Sequence, residues 1–193
     1  MSQHIEIEFK NLINKEEFNR LVQHFNLSKH SFHQQTNDYF DTQNFSLKLL
    51  SSALRVRTKE NKYELTLKEP HTVGLLETTD YISHEEKKIL FKNNGFPNGN
   101  VKQRLIEKGI PVDEIIHFGT LNTERAEIPY KGGILVFDKS SYLNITDYEI
   151  EFEVNNAEEG LKVFNSLLHQ FHIPKRPTLN KIARFYQAKQ KMC

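Results

Sequence analysis

Glu6, Glu8 and Lys10 take alternate positions in HIEIEFK (4–10), with Ile5, Ile7 and Phe9 between them. DYEIEFEV (147–154) repeats the pattern, alternating Glu149, Glu151 and Glu153 with Tyr148, Ile150, Phe152 and Val154. ALRVR (53–57) sets Arg55 and Arg57 against Leu54 and Val56, and KYELTLK (62–68) sets Glu64, Thr66 and Lys68 against Tyr63, Leu65 and Leu67. Successive side chains of a strand point to opposite faces, so each segment sorts charge onto one face and hydrocarbon onto the other. Carboxylates are the hard oxygen ligands that Mg²⁺ and Mn²⁺ prefer, while arginine presents a planar fork that matches phosphate oxygens. Such a set could do metal-assisted chemistry on a polyanion.

Two arrangements satisfy the pattern. An open antiparallel sheet could turn its polar face to water. A closed barrel could instead enclose that face, with helices covering the greasy outside; eight strands leave an interior just wide enough for side chains or one small ligand. Carboxylates on alternate positions of one strand sit roughly 7 Å apart, and each pair costs about 2 kcal/mol at an effective dielectric near 20, far less in open water. Enclosure therefore demands cations for the acids and anions for the arginines.

The elements that position these residues read from periodicity. Period-two segments lie at 4–10, 53–58, 62–68, 75–82, 120–128, 134–139 and 147–154, with a further candidate at 36–41, which makes eight strands. Short gaps favour antiparallel neighbours. Helices are expected over 15–25, where Asn14 and Glu17 form a capping box, and after Ser83 with Glu86. Two more are expected over 157–171, ended by Pro174 and Pro177, and over 180–190. NNGFPNGN (93–100) reads as a loop.

The chain has 193 residues, with 26 Lys plus Arg against 25 Asp plus Glu. The length suits a single domain over 1–193. The even charge lacks the basic excess of a nucleic-acid binder. No run approaches the roughly 20 apolar residues that span a bilayer, and charge begins at Glu6 where a signal peptide needs hydrocarbon. The expectation is a cytoplasmic protein, monomer or homodimer, with neither nucleic acid nor membrane as partner. The single cysteine, Cys193, is the last residue and reads as an unstructured tail position without a catalytic role. No CxxC or HExxH pattern points to zinc.

The ordered elements ExExK (Glu6, Glu8, Lys10), DYFDT (38–42), ALRVR, the basic strand end at Lys68, TER ending in Arg125, VFDKS carrying Asp138, YEIEFE (148–153) and NKIARF (180–185) resemble the CYTH superfamily, the triphosphate tunnel metalloenzymes. Within it the chain most resembles the bacterial YjbK type. The resemblance implies an α+β fold, an eight-stranded antiparallel β-barrel tunnel with a polar interior, flanked by helices. It also implies a triphosphate substrate with a divalent cation, Mg²⁺ or Mn²⁺. By position, Glu6, Glu8, Glu149 and Glu151 match the metal-binding acids, and Asp138 an acid for metal or the attacking water. Lys10, Arg55, Arg57, Lys68, Arg125 and Lys181 match the phosphate-gripping bases. Glu77 and Glu153 share the inward parity, Glu153 as a further metal ligand, and Arg184 follows Lys181 by three positions on one helix face.

The expected reaction is hydrolysis of a terminal phosphoryl group by water, with the bases stabilising charge on the equatorial oxygens. Metal neutralises that charge, and no covalent nucleophile is needed. With no Trp and no evident aromatic platform beyond Tyr39, Phe40, Tyr81 or Tyr130, inorganic triphosphate is favoured. Thiamine triphosphate hydrolysis and class IV-type adenylate cyclisation are alternatives, as is a non-catalytic polyphosphate or nucleotide receptor.

Overall fold

The computed structural model describes residues 3–191; Cys193 lies outside them. Eight strands form: β1 (Gln3–Ile13), β2 (His33–Thr42), β3 (Ala53–Lys59), β4 (Lys62–Pro70), β5 (Leu75–Ile82), β6 (Ile115–Tyr130), β7 (Gly133–Tyr142) and β8 (Ile145–Val154). The helices are α1 (Lys15–His24), α2 (Ser46–Leu49), α3 (His84–Phe91), α4 (Asn100–Glu107), α5 (Ala157–Gln170) and α6 (Lys181–Gln190). The strands are hydrogen-bonded in the order β1–β5–β4–β3–β2–β6–β7–β8, a closed barrel. The chain divides into two compact units, one of residues 3–5 with Gln35–Leu121, the other of Glu6–Gln34 with 122–191.

In the first unit β2, β3, β4 and β5 form an antiparallel meander. Its apolar face carries Phe40, Leu54, Val56, Leu65 and Leu67, which pack with Leu47 of α2, Leu90 of α3 and Val101 and Leu105 of α4. Each such side chain taken from water contributes about 1.5–3 kcal/mol. Glu69 at the end of β4 is buried, and Arg104 (2.8 Å) and Lys108 (2.7 Å) close on it from α4 and its C-terminal edge.

α4 has no counterpart in the sequence expectations, which read a loop up to residue 100. Its stripe is short, and its N-terminus is satisfied from a distance: Asp80 of β5 accepts from the Val101 N–H (2.7 Å) and the Asn100 amide (2.8 Å). A cap supplied by another strand leaves no local capping signature.

In the second unit β6, β7 and β8 pair antiparallel and β1 joins at β8. Ala126, Leu135, Phe137, Ile150 and Phe152 pack with Phe18 and Leu21 of α1 and Phe164, Leu167 and Leu168 of α5. The capping box expected at Asn14 and Glu17 is present, as is that at Ser83 and Glu86. In both units helices cover the hydrocarbon face, which leaves the ionic face as the inner one of a closed sheet. The arrangement with a water-facing polar sheet is thereby overturned.

α5 approaches the sheet so closely that Gly160 admits no side chain: a Cβ there would lie 2.6 Å from a Val154 methyl and 2.9 Å from the Phe9 ring. Gly160→Ala is expected to lower stability by about 1–3 kcal/mol through overpacking. Urea unfolding at one temperature measures it, and an unchanged midpoint would show that α5 lifts away freely.

Candidate active site

Strand pairing builds the ionic face of the second unit. Residues directly opposite in an antiparallel pair share a face, and the register sets Glu8 against Glu153 and Lys10 against Glu151. It then sets Glu149 against Asp138 and Asp138 against Arg125. Four strands thus aim Glu6, Glu8, Lys10, Arg125, Asp138, Glu149, Glu151 and Glu153 the same way. Lys181 and Arg184 join them from the first turn of α6, whose start is fixed by Asn180 accepting from the Ala183 N–H (2.8 Å).

These groups pair with one another. Arg125 clamps Asp138 through two hydrogen bonds (Nε 2.7 Å, Nη2 2.5 Å) and donates to Glu151 (2.7 Å). Lys181 reaches Glu151 (2.6 Å), Asp138 (2.8 Å) and Glu149 (3.5 Å). Arg184 donates to Glu149 and, at 3.0 Å, to Asp147. Lys10 donates to Glu8. Asp138 and Glu149 are wholly buried, at 0% exposure, so the pairs lie where Coulomb attraction is weakly screened.

Protonation follows from that crowding. Burial opposes the charge of Asp138, yet Arg125 and then Lys181 outweigh it and hold its carboxyl below the usual range. Burial is outweighed in the same way at Glu151, by Lys181, Arg125 and Lys10, so that this acid stays ionised. Glu149 moves up, because burial and the adjacent Glu151 exceed the help it draws from Lys181 and Arg184. Burial lowers and the acids raise Lys181, Arg184, Lys10 and Arg125, and in each the acids win. Glu153 is pushed up to about 7 by burial and by Glu6, Glu151 and Glu8, with Arg125 opposing.

The first unit holds the other expected bases. Tyr39, Arg55, Thr66 and Thr79 stand in register across four strands. Arg57 donates to the Asn37 side chain (3.1 Å), Thr66 and Thr79 hydroxyls meet at 3.0 Å, and Lys68 pairs with Glu77, which also faces His4 (3.5 Å). Arg55, Arg57, Lys68 and Glu77 therefore share one face, as their parity implied.

Several contributors escaped the sequence reading. Asp147 ties Arg184 to the Tyr142 hydroxyl (2.8 Å), a phenol pushed up to about 12 by burial and then by Asp147. Asn37, Thr66 and Thr79 sit on the same parity as Arg55 and Arg57, a signal available in the sequence. Of the four candidate stacking aromatics, Phe40 is core, Tyr130 packs on Phe25 and Phe152, and Tyr39 is buried; only Tyr81 is well exposed, at 74%.

Carboxylate oxygens are the donors that Mg²⁺ or Mn²⁺ selects. Among the described residues no group of three or more His, Cys, Asp or Glu stands ready to hold a metal; Glu8, Asp138, Glu149 and Glu151 are each closed on a lysine or arginine. Glu153, raised by burial first and then by Glu6, Glu151 and Glu8, adds a fourth carboxylate to that side of the face. The donor chemistry fits a hard divalent ion.

A closed eight-stranded antiparallel barrel flanked by helices, with acids and bases interleaved on its inner face, is the architecture of the tunnel-fold proteins. The CYTH domain model matches residues 4–186, and the chain belongs to the CYTH family, whose triphosphate tunnel enzymes are metal-dependent. It is 49% identical over 191 residues to the Bacillus subtilis (strain 168) protein named "Putative triphosphatase YjbK", covering 99% of each chain. A Bacillus halodurans crystal structure described as a "putative adenylate cyclase" superposes with a TM-score of 0.93 at 47% identity, over 96% of this chain and 100% of that one. The Hippeastrum protein HpAC1, called a "putative adenylyl cyclase" with a dominant triphosphatase activity, superposes with a TM-score of 0.80 at 25% identity, over 95% and 96% of the two chains.

Glu153 gives a pH signature. Its folded carboxyl binds a proton more tightly than the ordinary value of 4.5, so its contribution to stability is full below about 4.5 and fades as pH rises through about 7. Glu153→Gln, neutral at every pH, is expected to exceed the wild type by about 1–3 kcal/mol at pH 8 and to match it near pH 4 in chelator. Urea unfolding across that range checks it; a difference independent of pH would contradict the assignment.

Proposed function

We propose that the chain is a divalent-metal-dependent hydrolase of triphosphates, with inorganic triphosphate as the favoured substrate and residues 1–193 acting as one domain. The observation that carries the reading is the enclosed network of Arg125, Lys181 and Arg184 with Asp138, Glu149 and Glu151. A receptor for anions alone gains little from so many carboxylates beside its ligand. The triphosphatase names of YjbK and HpAC1 support the reading. The protein is proposed to be cytoplasmic, a monomer or homodimer, without nucleic-acid partners. Among the described residues no helix is long and apolar enough to cross a membrane.

In this mechanism Lys10, Arg125, Lys181 and Arg184, with Arg55, Arg57 and Lys68, hold the phosphate chain. They stabilise the charge that spreads over the equatorial oxygens as the terminal group leaves. Glu6, Glu8, Asp138, Glu149, Glu151 and Glu153 are the residues that would hold Mg²⁺ or Mn²⁺, which supplies charge neutralisation at the phosphate oxygens when bound. Asp138, ionised and fixed by the Arg125 clamp, is suited to orient the attacking water. The lysines and arginines now closed on carboxylates exchange part of that pairing for phosphate oxygens, so binding leaves few charges unpaired.

Tyr81 favours a second reading, an organic triphosphate, because it is exposed and stands in register with Glu64 and, through it, Arg57. A panel of inorganic triphosphate, thiamine triphosphate, ATP and GTP with Mg²⁺ or Mn²⁺, read by phosphate release, separates the two. Under the leading reading inorganic triphosphate turns over fastest, and chelator stops it. Glu8→Gln and Glu151→Gln are each expected to lower kcat by at least about a hundredfold while sparing tripolyphosphate binding. Absent or chelator-resistant turnover across the panel would overturn the proposal.

A further inference from the structure

Lys181 and Arg184 reach the acids from the start of α6, which the chain from Pro174 to Asn180 leads into. That segment has no regular structure, so something other than its own backbone ladder must fix it. A dense set of bonds to the end of β1 and the start of α1 does so. Asn11, 1% exposed, accepts from the Arg176 N–H (2.7 Å) and donates to the Pro174 carbonyl (3.1 Å). The Leu12 N–H donates to the Thr178 hydroxyl (2.8 Å), which in turn donates to the Arg176 carbonyl (2.9 Å). The Arg176 guanidinium grips both oxygens of Glu17 (2.8 and 2.9 Å) and donates to the Leu12 carbonyl (2.9 Å).

Glu17 is buried and also accepts from the Asn14 N–H (2.7 Å) as the acid of the α1 capping box. Its carboxyl is held below the usual range by Arg176 first, with burial opposing. One carboxylate thus joins the start of α1 to the segment that leads into α6. The strand it grips is the one that carries Glu8 and Lys10, so the latch references α6 to the acid-bearing strand itself.

We propose that Arg176, with Glu17, Asn11 and Thr178, is a positioning latch that sets Lys181 and Arg184 for triphosphate binding. This rests on the reading of those two bases as triphosphate-binding groups. Arg176 touches no reacting atom and acts through α6. A planar fork suits this site, because two separate nitrogens engage the two Glu17 oxygens while one of them also reaches the Leu12 carbonyl, a bidentate geometry that the single nitrogen of a lysine does not reproduce.

The test uses the full chain as wild type, Arg176→Ala, Arg176→Lys, Thr178→Val, Lys181→Ala and the Arg176→Ala/Lys181→Ala double variant. Tripolyphosphate binding is read by calorimetry and amide exchange by mass spectrometry. Losing the fork is expected to weaken tripolyphosphate binding about tenfold, with Arg176→Lys recovering only part of it. In the Lys181→Ala background the same change should add less than about twofold, since positions that act through one another are not additive. Exchange should rise across α6 and stay unchanged in α5 for Arg176→Ala and Thr178→Val. Equal losses in both backgrounds, or unaltered α6 exchange, would overturn the latch. If the wild type binds no tripolyphosphate, the functional reading fails, and the exchange comparison still decides whether the latch exists.

Discussion

Carboxylates spaced two residues apart on an enclosed strand cannot remain ionised without cations beside them, and the second unit is arranged around that requirement. Glu149 and Glu151 share one face of β8, Asp138 faces Glu149 from β7, and all three are buried. Their neutralising charges come from elsewhere: Arg125 from β6, Lys10 from β1, Lys181 and Arg184 from α6. Each donor covers more than one acid, so removing any one leaves a buried charge exposed to the others. Breaking a buried pair from one side costs about 3–5 kcal/mol, which makes the network a constraint on the fold.

That dependence explains which parts were legible. Parity alone sorts hydrocarbon from charge on β1, β3, β4 and β8, and the eight strands form where the alternation places them, with β6 beginning five residues before the expected 120. The two capping boxes are contiguous in sequence and were equally readable. Pairing partners were not. Arg125 beside Glu124 and Glu127 invites a reading as a surface pair; it does stand 3.7 Å from Glu127, but its guanidinium is clamped inward on Asp138 and Glu124 goes to Lys139. Which acid meets which base is set by register and by the approach of α6, both long-range. The same holds for α4, capped by Asp80 from twenty residues upstream, and for Asp147, whose role emerges only beside Arg184.

Within the second unit the bases lie among acids at hydrogen-bond distance, Arg125 on Asp138 and Glu151, Lys181 on Asp138 and Glu151, and Arg184 on Glu149. Glu149 and Glu153 are both shifted upward, by burial first and by neighbouring acids, with Lys181 and Arg184 opposing at Glu149 and Arg125 at Glu153. In the first unit Arg57 stands opposite Glu64 and bonds the Asn37 side chain, and Arg55 stands between Tyr39 and Thr66.

The central claim is that the charged face is enclosed and held by mutual ion pairing. Equilibrium unfolding of Arg125→Met measured against Arg125→Met/Asp138→Asn tests it most directly. The account predicts a loss of about 3–5 kcal/mol for the single change, part of it recovered when the stranded Asp138 charge is also removed. A single variant within about 0.5 kcal/mol of wild type, the size of an exposed pair, would contradict it.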